Sequence, residues 1–224
     1  IDRSTVGATY SQITSDIEMA EQYAEESGIE PNEFYMGPMA IQALKARVYM
    51  SMGESETAKT SALEAIELKG KGNGTGDDKE PTDEAYVSMW TSLAISSEDL
   101  FTIAKNESDN LSANSLNTLY GSYGATLSNY TISLYGENDI RAQLLGNSRY
   151  GVTTTKYNGI PTSAATSDIP VFRKSEMSLI VAEVEARNGQ IENAQKYLYY
   201  TAKRDKDITS ADMLPSTSQE LLEF

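Results

Sequence analysis

The sequence predicts a mainly α-helical fold, in which helical hairpins pack against an irregular, loop-rich region with a few short strands. Apolar residues recur at steps of three and four along the first third and the last quarter of the 224-residue chain, which is the spacing of a buried helix face. The segment between them is rich in Gly, Ser, Thr, Asn and Tyr and lacks this periodicity, which is typical of loops.

Composition excludes several classes of function. The chain has 33 acidic and 18 basic residues, a formal net charge of −15, and neither His nor Cys. It therefore offers no disulfide, no zinc site with Cys or His ligands and no nucleophile of the Cys or Ser-His-Asp type. Phosphate binding needs clustered Lys and Arg, so no nucleic-acid partner is expected. No cofactor or catalytic residue is predicted.

Three helices are predicted in the first third. The first covers residues 5–26, with Ser4 as its cap and Gly28 at its end. The second covers residues 38–52 and is apolar around most of its girth, so we expect it to be buried. The third covers residues 54–68, after a short turn at Gly53, and presents a face of alanines that permits close packing.

The middle of the chain gives weaker signals. A helix is predicted over residues 85–93, and short strands over 99–104 and 131–135. The Gly-rich segment 70–81 contains three acidic residues, Asp77, Asp78 and Glu80, that resemble a calcium loop. Their spacing does not match an EF-hand, so a solvated loop is favoured and no metal site is predicted.

Helices return over residues 175–188 and, after Gly189, from Ile191 to Ala202. Shifting the sequence by 136 residues places Gly53 on Gly189 and Ala58 on Ala194, and it also places Ala46 on Ala182. A small residue, a turn glycine seven residues later and an alanine five beyond it form the packing skeleton of a tetratricopeptide hairpin. We therefore predict two such hairpins, at about 38–69 and 173–205, in which the paired alanines touch.

The C-terminal end carries two overlapping capping boxes, beginning at Ser216 and Thr217, which open a helix of which little sequence remains. We expect one domain over residues 1–224 that is incomplete at both ends.

Four stretches resemble the SusD/RagB family. They are the R…Y..I..D helix of Arg3, Tyr10, Ile13 and Asp16; the A-L-x-A-R-V-Y-M stretch from Ala43 to Met50; the N-D-x-R turn from Asn138 to Arg141; and the segment from Arg173 to Glu183, followed by Ala186 and Gly189. They occur in the family's order along most of the chain. Family chains are generally about twice as long, and Val184 departs from the family's usual Ala.

The resemblance implies a SusD-like fold and a function without catalysis. Family members are cell-surface lipoproteins of the bacterial outer membrane, which bind glycans or other nutrients for a TonB-dependent, SusC-like transporter. The resemblance thus implies an oligosaccharide ligand, a transporter partner and contact with the membrane only through a lipid anchor outside this chain.

Aromatic residues of the loop-rich region, about 85–165, are the candidates for glycan binding. A sugar ring needs a flat aromatic surface and polar partners for its hydroxyls. The candidates are Trp90, Tyr120, Tyr123, Tyr130, Tyr150 and Tyr157, with Asn117, Asn129 and Asn158 nearby in sequence. Any one of these aromatic side chains could instead fill the core.

Two alternatives stay open. Tetratricopeptide hairpins can form a protein-interaction scaffold without a ligand of their own. A glycoside hydrolase needs two carboxylates held about 5–10 Å apart, and nothing in the sequence singles out one pair. Two local ion pairs are also predicted, Arg173 with Glu176 and Asp139 with Arg141, both structural.

Overall fold

The computed structural model describes residues 3–71, 81–90, 95–109, 114–157 and 166–224. In this part of the chain the fold is mainly helical, with two small sheets of two strands each, which confirms the predicted fold class. The calcium-like segment with Asp77, Asp78 and Glu80 lies outside the described residues, as does Asn158. No helix in the described ranges combines the length and the apolar character needed to cross a membrane.

Three helices form the N-terminal third, as predicted: α1 (Val6–Ser27), α2 (Pro38–Met52) and α3 (Ser55–Lys69). The cap of α1 differs from the prediction, because the hydroxyl of Thr5, not Ser4, accepts a hydrogen bond at 3.1 Å from the backbone N–H of Ala8. Helix α2 is buried along its first half, where its apolar side chains face both α1 and α3.

The middle of the chain forms short elements: α4 (Asp83–Ser88), β1 (Asp99–Ile103), α5 (Leu116–Gly121), α6 (Asn129–Ser133), β2 (Leu145–Ser148), β3 (Gly151–Thr154) and β4 (Ile169–Arg173). The predicted strand β1 pairs antiparallel with β4, and β2 pairs with β3 as a hairpin. The strand predicted at 131–135 is wrong. Ser128 accepts a hydrogen bond at 3.0 Å from the Thr131 N–H and so starts helix α6 at this point.

The C-terminal quarter forms α7 (Lys174–Arg187), α8 (Ile191–Ala202) and α9 (Ser218–Glu223). At α9 the N-cap hydrogen bond of one of the two predicted capping boxes forms. The Thr217 hydroxyl accepts a hydrogen bond from the Glu220 N–H at 3.3 Å and contacts the Glu220 carboxylate at 2.7 Å.

The hairpins α2–α3 and α7–α8 repeat the same turn geometry. Gly53 and Gly189 both adopt positive φ, at 84° and 71°. In each turn the residue after the glycine donates its N–H to the carbonyl four residues before the glycine, at 3.0 Å in the first hairpin and 2.9 Å in the second. The alanines expected at the helix contacts, Ala46, Ala58, Ala182 and Ala194, are all buried.

The two hairpins stack through α3 and α7. Lys59 forms an ion pair with Glu185 at 3.4 Å, and the Asn188 side chain donates to the Glu56 carboxylate at 2.6 Å. Glu185 occupies the repeat position of Tyr49, where the second hairpin departs from the repeat pattern, and this ion pair gives its carboxylate a partner. Residues of α2, α3, α7 and the β1–β4 sheet together form the main core.

One predicted ion pair forms and the other does not. Arg141 donates to both carboxylate oxygens of Asp139, with a shortest distance of 2.6 Å, as predicted. Arg173 does not pair with Glu176, because it is the last residue of β4 and its extended backbone places the side chain off the face of α7. Glu176 instead accepts two hydrogen bonds from Arg47 of α2, both at 2.6 Å.

Candidate functional site

The six predicted aromatic residues separate into a buried group and an exposed group. Tyr123, Tyr130 and Tyr150 are 65%, 73% and 52% exposed, so each presents ring surface to solvent. Trp90 is only 4% exposed. Tyr120 and Tyr157 are partly buried.

Trp90 belongs to a small core beneath α4. Its ring packs edge-on against Tyr157, with ring centroids 5.4 Å apart. Two cations cover it, the Lys156 ammonium at 4.3 Å and the Arg173 guanidinium at 4.9 Å from the ring centroid. Little of the Trp90 ring is accessible to a ligand as a result.

The electrostatics of this core are unusual for so acidic a chain. Burial, together with the positive charges of Arg173, Arg204 and Arg141, lowers the pKa of Lys156 to about 8. Burial also raises the pKa of the Tyr157 hydroxyl. Lys156 and Arg173 contact the ring of Trp90. In the contacts that the structure shows, neither touches an exposed tyrosine.

The β2–β3 hairpin holds the exposed aromatic side chains in place. The segment after α5 runs beside β3, where the Leu127 N–H donates to the Val152 carbonyl at 2.9 Å. The Thr153 hydroxyl contacts the carbonyl of Tyr120, at the end of α5, and that of Ala125 in the segment after it, each at 3.1 Å. The loop that carries Tyr123 is thereby fixed to the hairpin that carries Tyr150.

A cavity of about 580 Å³ opens to solvent along this hairpin. Its lining among the described residues is polar: Ser122, Gly146, Asn147, Ser148, Arg149, Thr153, Thr154 and Thr155. Hydroxyl and amide groups can both donate and accept hydrogen bonds, as a ligand rich in hydroxyl groups requires. Among the described residues of this lining, Arg149 is the one that carries a charge.

Tyr150 lies at the tip of the hairpin and rests on a glycine. A side-chain carbon at Gly124 would come within 2.5 Å of the Tyr150 ring, so the close contact requires glycine there. Gly124 also has a φ of 78°, which other residues adopt only with strain. On the same ring lies the guanidinium of Arg149, 4.6 Å from the centroid.

Two other cavities lie elsewhere. One, of about 280 Å³, is a largely apolar groove between α7, α8 and α9 that includes Leu179, Leu198 and Phe224. The other, of about 340 Å³, lies between α4 and the end of α8, and its lining includes Lys203, Arg204 and Lys206. Among the described residues, none of the six predicted aromatic residues lines any of these three cavities; Tyr123 and Tyr150 instead follow Ser122 and Arg149 of the polar lining in sequence.

The sequence alone did not identify the polar lining, because it did not predict the β2–β3 hairpin. Gly, Asn and Ser dominate β2 and have low strand propensity. The sequence did contain a signal for strand β3: residues 152–155 are all β-branched and follow a glycine.

Comparison with known proteins adds the following. No family model and no curated protein sequence matches the chain. Solved structures do match. A Bacteroides vulgatus protein named for sugar binding is 26% identical, with a TM-score of 0.80 over 99% of this chain and 50% of its own. A SusD superfamily protein from Bacteroides thetaiotaomicron is 24% identical, with a TM-score of 0.75 over 99% of this chain and 52% of its own.

A third structure includes a ligand. It is the surface glycan-binding protein A from Bacteroides thetaiotaomicron in complex with laminarihexaose, which is 17% identical with a TM-score of 0.67. The alignment covers 96% of this chain and 56% of that protein. The chain thus spans about half the length of the solved structures that it matches. The chain has the fold of these SusD-like structures, which confirms the predicted fold.

Proposed function

We propose that this chain belongs to a non-catalytic protein that captures oligosaccharides at the bacterial cell surface. One observation carries the proposal. Within a SusD-like fold, a polar cavity of about 580 Å³ lies along the β2–β3 hairpin, in the region where the exposed Tyr123 and Tyr150 are held.

The chemistry of these groups suits a sugar ring. Tyrosine rings offer large apolar surfaces to the C–H face of the sugar at low cost in side-chain entropy. The hydroxyl and amide groups of Ser122, Asn147 and Thr154 can exchange hydrogen bonds with sugar hydroxyls. The solved relative with laminarihexaose supports an oligosaccharide as the class of ligand.

The same cavity gives no support to the hydrolase alternative. Glycoside hydrolysis needs a pair of carboxylates on either side of the scissile bond. The cavity lining among the described residues contains no Asp or Glu. Binding without turnover is therefore the function that this lining favours.

The partner and the location follow from the resemblance to the family. We propose delivery of the ligand to a TonB-dependent transporter, and location on the outer face of the outer membrane through a lipid anchor outside this chain. The scaffold alternative predicts tight binding to a transporter fragment without any response to oligosaccharides.

Calorimetric titration with a panel of oligosaccharides tests the proposal. We expect saturable binding without cleavage, and about tenfold or greater weakening in Tyr123→Ala and in Tyr150→Ala, because each removes a contact surface. Tyr23→Ala is the matched control, since Tyr23 is 60% exposed on α1, outside the loop-rich region. Absence of binding to every oligosaccharide, or equal affinity in all three variants, would refute the proposal.

A further inference from the structure

The segment from Asn110 to Ser167, which includes the second half of the loop-rich region, differs in charge from the rest of the chain. From Asn110 to Ser167 the acidic residues are Glu137 and Asp139, and the basic residues are Arg141, Arg149 and Lys156. This segment therefore has a formal charge of +1, whereas the whole chain has −15. The cavity along the β2–β3 hairpin is lined by residues of this segment.

Arg149 has no carboxylate partner among the described residues. Arg141 pairs with Asp139 and Arg47 pairs with Glu176, whereas no ion pair or side-chain hydrogen bond forms at Arg149. Its guanidinium instead makes a cation–π contact with the ring of Tyr150, 4.6 Å from the centroid. The Arg149 side chain is exposed and lines the cavity, so a ligand there would meet its guanidinium.

Tyr150 and Gly124 hold this guanidinium in position. The Tyr150 ring lies directly against Gly124, so it cannot move inward, and the Arg149 side chain stacks on it. A guanidinium that stacks through its face keeps the N–H groups along its edge available. Those groups match the two oxygens of an anionic group and can bind it bidentately.

We propose that this cavity selects acidic oligosaccharides and that Arg149 binds their anionic group. The inference rests on the proposed function and adds a ligand class to it. No acidic side chain lines the cavity among the described residues, so nothing there repels or replaces that group. At physiological ionic strength the Debye length is about 8 Å, so acidic groups farther than this from Arg149 oppose binding only weakly.

Paired ligands test this proposal. The panel contains oligogalacturonate, oligoglucuronate and oligomannuronate, each with its carboxyl-reduced neutral form, together with a sulfated galactan oligosaccharide and its desulfated form. We expect the protein to bind at least one acidic member about tenfold or more tightly than the matched neutral form, as a charge-assisted bidentate contact provides. The carboxylate and sulfate arms identify which anionic group is bound.

Variants assign the preference to one residue. Arg149→Met should reduce affinity for the acidic form to that for the neutral form, and Arg149→Lys should restore only part of it, because lysine keeps the charge but loses the planar fork. The control is Lys196→Met, which removes an exposed cation that stacks on the ring of the next residue, Tyr197, at 5.5 Å. It makes the same change in net charge and should leave the preference intact.

The outcomes separate the two proposals. Equal affinity of the wild type for all acidic and neutral pairs would overturn this inference and leave oligosaccharide binding standing. A preference that persists in Arg149→Met would also overturn it. Absence of binding to every member of the panel and to neutral oligosaccharides would overturn both.

Discussion

Glu98, which lies in the loop-rich region, forms hydrogen bonds with residues of α7 and α8. Its carboxylate is fully buried and accepts hydrogen bonds from the hydroxyls of Ser175 and Tyr200 and from Arg204, the last at 3.0 Å. Arg173 lies 3.8 Å away. Burial alone would raise the pKa of Glu98, but Arg204 and the hydrogen bonds outweigh it and lower the pKa below its ordinary value.

This arrangement predicts a large effect of Arg204→Met. The variant leaves the Glu98 carboxylate buried without its main counter-ion, and we expect it to lower the free energy of unfolding by about 3–5 kcal/mol. The control is Lys206→Met, because Lys206 and its partner Asp83 are each 45% exposed and such pairs contribute about 0–1 kcal/mol. Urea denaturation measures both. Equally small losses would show that Glu98 does not depend on Arg204.

Pairs of charged residues show what the sequence could predict at this scale. Asp139 and Arg141 are two residues apart in one turn, so their contact followed from local geometry. The contact of Arg47 with Glu176 joins residues 129 positions apart, which no local spacing indicates. Arg173 was assigned to Glu176 by helical spacing, but the helix begins one residue after it, at Lys174.

The turn glycines of the two hairpins determine how each pair of helices meets. Gly53 and Gly189 adopt φ of 84° and 71°, and no atom lies within 4 Å of an added side-chain carbon at either position. Any cost of replacing them with alanine therefore comes from the backbone alone. We expect Gly53→Ala and Gly189→Ala each to lower the free energy of unfolding by about 1–2 kcal/mol.

Gly7→Ala is the control for these variants. Gly7 lies in α1 without a positive φ and with open space around it, so alanine there should not destabilise the protein. Thermal or urea unfolding compares the three. A loss of less than a few tenths of a kcal/mol at both turn glycines would contradict the left-handed turns.

The long helices and strand β1 were predictable from the sequence, whereas strands β2 and β3 were not, for a physical reason. Residues Pro38–Met52 have a proline at the start, a glycine after the end and apolar residues on most faces, so the bounds of α2 followed from the sequence. Strands β2 and β3 are four residues each, and tertiary hydrogen bonds from Leu127 and Thr153 hold them in place. Without that context, their sequence resembles a loop.

At the scale of the whole molecule, a helical frame supports a loop-rich region of different charge and composition. The stacked hairpins bury alanines and an apolar core, and the β1–β4 sheet lies against that core. The β2–β3 hairpin and the loop beside it carry the exposed tyrosines, whereas Trp90 and Tyr157 pack inside. The sequence predicted the region of the candidate site, but burial decided which aromatic side chains remain available.

The most direct test of the account is to map where an oligosaccharide binds. Amide chemical shifts of the isotope-labelled protein are recorded as the oligosaccharide of highest affinity from the calorimetric panel is added. The account predicts saturable changes concentrated in residues 120–127 and 146–155, with little change along α1 and α3. Changes confined to the groove between α7 and α9, or to the cavity near Lys203, would contradict it.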